Sequence, residues 1–211
     1  MNQLFPNMKT YLNLVASTIM RNRATVAGNI VNASPIGDLT IMLLALNADI
    51  CLVKGKTRRE LPLRDFFKGY KQMDMKKGEI IETIEIPIPQ PDWGYRFHFE
   101  KVSQRKYLDI ASCNTAISIK VEQSIIADIH LSAGGVAPIP LYLEETCGYL
   151  RDKKITGKTL REAVDVMEQE ISPISDVRGS ARYKTLLLQN LIFAHFITLF
   201  PKKNLEKELM L

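Results

Sequence analysis

The chain has 211 residues, 46% hydrophobic and 24% charged, with a formal net charge of +5. That length can bury a core for one large or two small domains without staples, and the composition is that of ordinary globular protein. Lysine and arginine are mixed with acidic residues except at 54–59 and 202–203, and Cys51, Cys113 and Cys147 are far apart with no C-x-x-C pair, which argues against a nucleic-acid stripe, a disulfide framework, a zinc site and an iron–sulfur cluster.

In chain order, residues 4–20 carry Leu12, Val15, Ala16 and Ile19 at helical spacing, which predicts one helix. A stretch of small and turn-forming residues follows over 24–38. Gly28, Asn29 and Asn32 tolerate left-handed backbone, and Thr25 and Ser34 add hydroxyls. Such a stretch is either ordinary turn structure or a concavity of free N–H groups suited to a diphosphate. Asp38 then precedes the apolar run 39–46, which reads as a buried helix N-capped by that carboxylate. Residues 50–53 and 59–63 form a hairpin around Lys54-Gly55-Lys56-Thr57, and 80–86 alternates as a sheet strand.

Pro87-Ile88-Pro89-Gln90-Pro91 sustains neither helix nor central strand, which sets a boundary between domains at 1–90 and 91–211. Beyond it, 95–102, 113–121 and 125–133 read as strands, the last two a hairpin with one buried face. Thr159-Leu160-Arg161-Glu162 is a capping-box signature for a helix carrying Leu160, Ala163, Val164, Met167 and Ile171 on one side. A last helix runs over 179–200. Its apolar part, 186–200, is interrupted by Gln189, Asn190 and His195 and is shorter than the roughly 20 residues a bilayer demands. Strands then helices without βαβ alternation indicate an α+β fold. With no basic segment leading into an apolar core at the start, and with unpaired cysteines, a cytoplasmic location is expected.

No G-x-G-x-x-G links a strand to a helix, since Gly134-Gly135 precedes a proline-rich loop, so a nicotinamide-type dinucleotide fold is disfavoured. His98, His130 and His195 are scattered and lack a serine elbow, a reactive-cysteine context or metal-ligand spacing. They read as structural. No catalytic residue and no metal ligand is assigned.

Arg21-Asn22-Arg23-Ala24-Thr25-Val26-Ala27-Gly28-Asn29-Ile30 followed by Ala33-Ser34-Pro35-Ile36-Gly37-Asp38-Leu39 resembles the Thr-x-Gly-Gly-Asn and Ser-Pro-x-x-Asp segment of the molybdopterin dehydrogenase flavin subunits. These are the FAD modules of xanthine dehydrogenases, carbon monoxide dehydrogenases and hydroxybenzoyl-CoA reductases. Tyr70 with Phe66-Phe67-Lys68-Gly69, the strand Glu79 to Pro87, Phe99 to Arg105, Asp109-Ile110-Ala111 and Ser132 to Ala137 fall in that family's order. The similarity runs from near Leu14 to about Pro201. It implies the second subdomain of a vanillyl-alcohol-oxidase/PCMH-like FAD-binding domain, followed by a small C-terminal domain of antiparallel sheet and helices. It also implies a flavoprotein that holds FAD within an oxidoreductase such as xanthine dehydrogenase. Electrons from a molybdenum-cofactor subunit pass through an iron–sulfur subunit to the flavin, and then to NAD or another acceptor.

Carried over from that resemblance, Ala24, Thr25, Gly28 and Asn29 approach the pyrophosphate and ribityl region, and Val31 and Asn32 continue the wall. Ala27 stands where the family has glycine, and its methyl narrows the cradle. Gly37 and Asp38 line the cofactor, Asp38 being equally an N-cap. Val15 and Ala16, on the preceding helix, pack near the flavin. Ile81 lies against the isoalloxazine or is plain sheet core. Lys101 is either a cation at the polar edge of the ring, favouring the reduced anionic flavin, or an exposed strand lysine. Members of the family carry an additional N-terminal subdomain with a second glycine-rich loop, which has no counterpart here before Leu14. An exposed apolar face inviting self-association is therefore expected. The alternative reading is a non-catalytic interaction or scaffold remnant that holds no flavin.

Overall fold

The computed structural model describes residues 5, 7–87, 94–105 and 107–209. The chain opens with three short helices, α1 (Met8–Asn13), α2 (Thr18–Arg21) and α3 (Val26–Val31), then the longer α4 (Asp38–Ala45). Strands β1 (Asp49–Lys54), β2 (Thr57–Pro62), β3 (Phe67–Gly69), β4 (Gln72–Met73) and β5 (Ile80–Glu85) follow. An antiparallel sheet of order β2-β1-β5 and a small β3-β4 ladder result. The second half supplies β6 (Tyr95–Val102), β7 (Cys113–Glu122), β8 (Ile125–Gly134) and β9 (Leu141–Tyr142) in an antiparallel sheet of that order. Helices α5 (Glu144–Leu150), α6 (Gly157–Glu170), α7 (Ala181–Leu199) and α8 (Leu205–Leu209) complete an α+β architecture. The proline-rich stretch after Pro87 falls at 88–93, outside the described residues.

The helix predicted over 4–20 is broken after Asn13, and Ala16 turns to φ 49°. Side chains from elsewhere take the carbonyls that would have continued it. Lys101 Nζ donates to Leu14 O at 2.9 Å and Arg21 Nη1 to Val15 O at 2.7 Å. Ser17 then restarts the chain as α2, its hydroxyl accepting from Met20 N–H. Val15 and Ala16 therefore sit in a turn rather than on a helix, and Ile19 is 73% exposed rather than on a buried face.

Helix α4 has Gly37 at its N-cap, so Asp38 is the first helical residue and does not cap it. The 159–162 capping box is also displaced. Thr156 caps α6 by accepting from Thr159 N–H at 3.2 Å, while Glu162 accepts from the Tyr149 hydroxyl at 2.6 Å.

The larger sheet is buried on both faces, not one. Cys113, Ile117, Ile119, Ile129 and Leu131 pack into the core formed with α5, α6 and α7. Phe99 and Ala116, on the opposite face, belong to the core built around α4 and β1. This second face reads as polar in sequence because Asn114, Ser118 and Ser132 occupy it, yet all three are buried. They are small enough for α4 to approach, and Ser132 Oγ donates to Ile41 O at 2.7 Å. Helix α4 is buried from Thr40 to Ala45, as its all-round apolarity demands. Taking each of Ile41, Met42, Leu43 and Leu44 out of water contributes about 1.5–3 kcal/mol. Among the described residues no helix is long and apolar enough to cross a membrane.

Candidate functional site

The turn-rich stretch contains α3, and Thr25 is its N-cap. Thr25 Oγ1 accepts from Gly28 N–H at 2.9 Å, and Asn29 N–H donates to Thr25 O at 3.1 Å. Among the described residues, the Val26 and Ala27 N–H groups have no partner, the usual condition of the first helical turn. Ala24, Thr25, Val26 and Gly28 are exposed, so those two amides are open to an anion. A Cβ at Gly28 would meet Thr25 Oγ1 at 2.9 Å, which is why this cap closes on glycine. Asn29 turns inward, its Oδ1 accepting from Thr40 Oγ1 at 3.1 Å, which ties α3 to α4. Asn32 ends α3, and Lys71 Nζ donates to its carbonyl.

A second cluster forms where the start of α4 meets the larger sheet. Lys101 on β6 and Asn114 on β7 are cross-strand partners, and both reach Asp38. Lys101 Nζ donates to Asp38 Oδ2 and Asn114 Nδ2 to Asp38 Oδ1, each at 2.6 Å. The Lys101 and Asp38 side chains are 4% and 10% exposed, so Lys101 is no exposed strand lysine. Burial pushes the Asp38 carboxyl up, against the Lys101 charge and the hydrogen bonds from Lys101 and Asn114 that hold it down. Asn114 Oδ1 is buried without a partner. It lies so close to β8 that a Cβ at Gly134 would come within 2.1 Å of it. Gly135, at φ 83°, donates its N–H to Pro35 O at 3.0 Å and fastens the 34–37 loop to the sheet.

Of the residues expected to line a cofactor, Gly37, Asp38 and Lys101 meet at one place. Lys101 joins them, through Leu14 O, to the turn bearing Val15 and Ala16. Ala24, Thr25, Gly28 and Asn29 reach that group through the Asn29–Thr40 bond, and Val31 and Asn32 extend α3 away from its open end. Ile81 is buried in the core beneath α3, and it is Ile80, 62% exposed, that faces outward. Near the open turn, Ile19, Met20 and Val26 are 73%, 59% and 43% exposed. Sequence reading missed Asn114, Thr40, Lys71 and the Leu14 carbonyl. Only the β6–β7 register reveals Asn114, by setting it opposite Lys101.

A pocket of about 260 Å³ lies elsewhere, on the β2-β1-β5 sheet, lined by Asp49, Cys51, Glu60, Pro62 and Glu85 among others. Its carboxylates disfavour a phosphate. Among the described residues no group of three or more His, Cys, Asp or Glu could hold a metal ion. Cys51, Cys113 and Cys147 are buried and unpaired, and burial pushes the Cys113 and Cys147 thiols up to about 12. On the far face of β6, His98 and His195 of α7 share a 2.8 Å Nδ1···Nδ1 hydrogen bond. Burial lowers His98 to about 4 and His195 well below its ordinary value.

Two family profiles match the chain. Residues 1–89 match the FAD binding domain in molybdopterin dehydrogenase, and residues 98–199 match the CO dehydrogenase flavoprotein C-terminal domain. The glyceraldehyde dehydrogenase medium chain of Sulfolobus acidocaldarius is 32% identical over 191 residues, covering 90% of this chain and 66% of that relative. The xanthine dehydrogenase/oxidase of Gallus gallus is 28% identical over 205 residues, covering 95% of this chain and 15% of its own length. A solved carbon monoxide dehydrogenase structure from Hydrogenophaga pseudoflava superimposes with a TM-score of 0.84 at 26% identity, over 90% of this chain and 66% of that one. The chain thus spans just under two thirds of the medium chain it matches and a small part of the xanthine dehydrogenase.

Proposed function

The chain belongs to the FAD-binding subunits of the molybdopterin dehydrogenases, and from that premise we propose that it is the electron outlet of a molybdenum hydroxylase. In this reading residues 1–90 are the flavin-binding part and 91–211 the C-terminal domain. The enzyme is xanthine dehydrogenase-like and located in the cytoplasm. Partner subunits supply the molybdenum cofactor and the iron–sulfur clusters, and NAD or another acceptor takes the electrons.

The residues present suit FAD. Open amides at Val26 and Ala27, beside the Thr25 hydroxyl, offer donors to a diphosphate. The Asn29–Thr40 link joins them to the Asp38–Lys101 pair, which brings a cation to the other part of the site. When bound, FAD supplies the redox chemistry; the chain's own part is to bind the diphosphate, orient the ring and set the charge around it. Val15, Ala16 and Gly37 wall the site, Val31 and Asn32 continue α3 beyond it, and Ile81 supports α3 from beneath.

The observation that carries the proposal is the match of residues 1–89 to the FAD binding domain profile, with the exposed Thr25 turn and the buried Asp38–Lys101 pair in the same segment of the fold. Titrating FAD into the purified protein, followed by flavin fluorescence and absorbance, tests it. Quenching to a yellow complex is expected, and a protein that takes up no FAD overturns it. Reducing the bound flavin and adding NAD then identifies the acceptor. The scaffold reading is favoured by one observation, that the Gly28 and Asn29 amides and Asn29 Oδ1 are already bonded internally. It predicts a colourless protein that self-associates through Ile19, Met20 and Val26.

A further inference from the structure

We propose that Asn114 is a positioning residue that holds the Asp38 carboxylate turned to Lys101, and so tunes the charge the flavin site presents. The proposal rests on the flavin reading above and concerns a residue that does not itself touch the cofactor.

Three observations on this face of the sheet carry it. Asn114 and Lys101 are cross-strand partners that divide the two Asp38 oxygens between them, each at 2.6 Å. Asn114 also spends its place poorly in structural terms, because its Oδ1 is the one buried side-chain nitrogen or oxygen without a hydrogen-bond partner among the described residues. An apolar residue of the same shape would avoid that penalty. What the amide provides in return is the Nδ2 bond to Asp38, with a longer contact to Ile36 O at 3.3 Å. Finally, Gly134 leaves room for the Asn114 side chain where any Cβ would collide with it at 2.1 Å.

The consequence is electrostatic. A buried carboxylate drifts toward its neutral form unless donors hold its charge. With both donors in place, Asp38 and Lys101 form a neutral ion pair. Without the Asn114 amide, Asp38 takes a proton more readily and is no longer held square to Lys101, so the Lys101 charge is less fully compensated. A flavin beside it is then easier to reduce.

Asn114→Leu tests this, because it removes the donor and the orphaned acceptor together. The FAD-loaded variant is expected to have a more positive midpoint potential than the unsubstituted protein, with urea stability no lower. Asp38→Asn should raise the potential too, and the double variant should go no further than Asp38→Asn alone. In flavin-free protein, Asn114→Leu should show the protonated-carboxyl infrared band of Asp38, which the double variant lacks, at a higher pH than the unsubstituted protein does. Should the leucine fail to fold, Asn114→Ala makes the same two measurements. An unchanged potential and an infrared band that appears at the same pH in both proteins, while FAD binds and Asp38→Asn does shift the potential, overturns the role of Asn114. If no variant binds FAD the flavin reading fails, and the infrared band still decides whether Asn114 governs Asp38.

Discussion

The two faces of β6 treat a buried ionisable side chain in opposite ways. Lys101 points toward α4, 4% exposed, and meets the Asp38 carboxylate. His98 points toward α7, 7% exposed, and meets another imidazole. Burial is similar, so the partner decides the charge: a buried carboxylate at 2.6 Å holds Lys101 and Asp38 as an ion pair, while His98, between a neutral ring at 2.8 Å and the partly exposed Glu100 at 3.3 Å, is left to the desolvation that discharges it. The charged face carries the proposed flavin site. The neutral face joins the sheet to the C-terminal helices.

The largest expected effect comes from removing the cation on the charged face. Lys101→Met leaves Asp38 buried without its counter-charge, to remain an unpaired carboxylate or take up a proton, at a cost of up to about 3–5 kcal/mol in urea unfolding. Adding Asp38→Asn should recover part of that loss; no recovery would mean that the pair is not the source.

Acid probes the neutral face. The folded-state value of His98, about 4, lies below its ordinary 6.5, so the stability it contributes is present above about 6.5 and is lost as pH falls toward 4. By linkage this is on the order of 3 kcal/mol. Glu100, 3.3 Å from His98 Nε2 and pushed up by burial, works in the opposite sense and offsets part of it. Unfolding measured from pH 7 to 4 should show the decline, and a protein carrying both His98→Leu and His195→Leu should show a smaller one. Equal slopes in the two proteins would remove the histidine pair as its cause.

The smallest effect is at the open turn beside the charged face. Thr25→Ala should cost about 1 kcal/mol through loss of the α3 cap and should weaken FAD binding, whereas Thr25→Ser keeps both. Amide exchange over 26–31 reports the first and flavin titration the second. If the alanine variant exchanges and binds as the original does, the cap is not what shapes that turn.

Strands β6, β7 and β8 and helices α4 and α7 were legible in the sequence because each follows from local pattern: alternation, an unbroken apolar run, a helical period. The break between α1 and α2 was not, because it depends on Leu14 and Val15 carbonyls being claimed by Lys101, far along the chain, and by Arg21. The second buried face of the larger sheet was hidden for a related reason. Asn114, Ser118 and Ser132 look like solvent positions until α4 is laid over them.

By itself the sequence determined the α+β class and the family and marked 24–38 as turn-rich, since these reside in residue types and short spacings. Tertiary structure alone decided that Asp38 leaves the cap to Gly37 and turns to Lys101, that Asn29 faces α4, and that Asn114 joins the site. The physical reason is that a buried polar group takes whichever partner the packing brings within about 3 Å, and the sheet register that brings Asn114 to Asp38 pairs residues no local pattern connects.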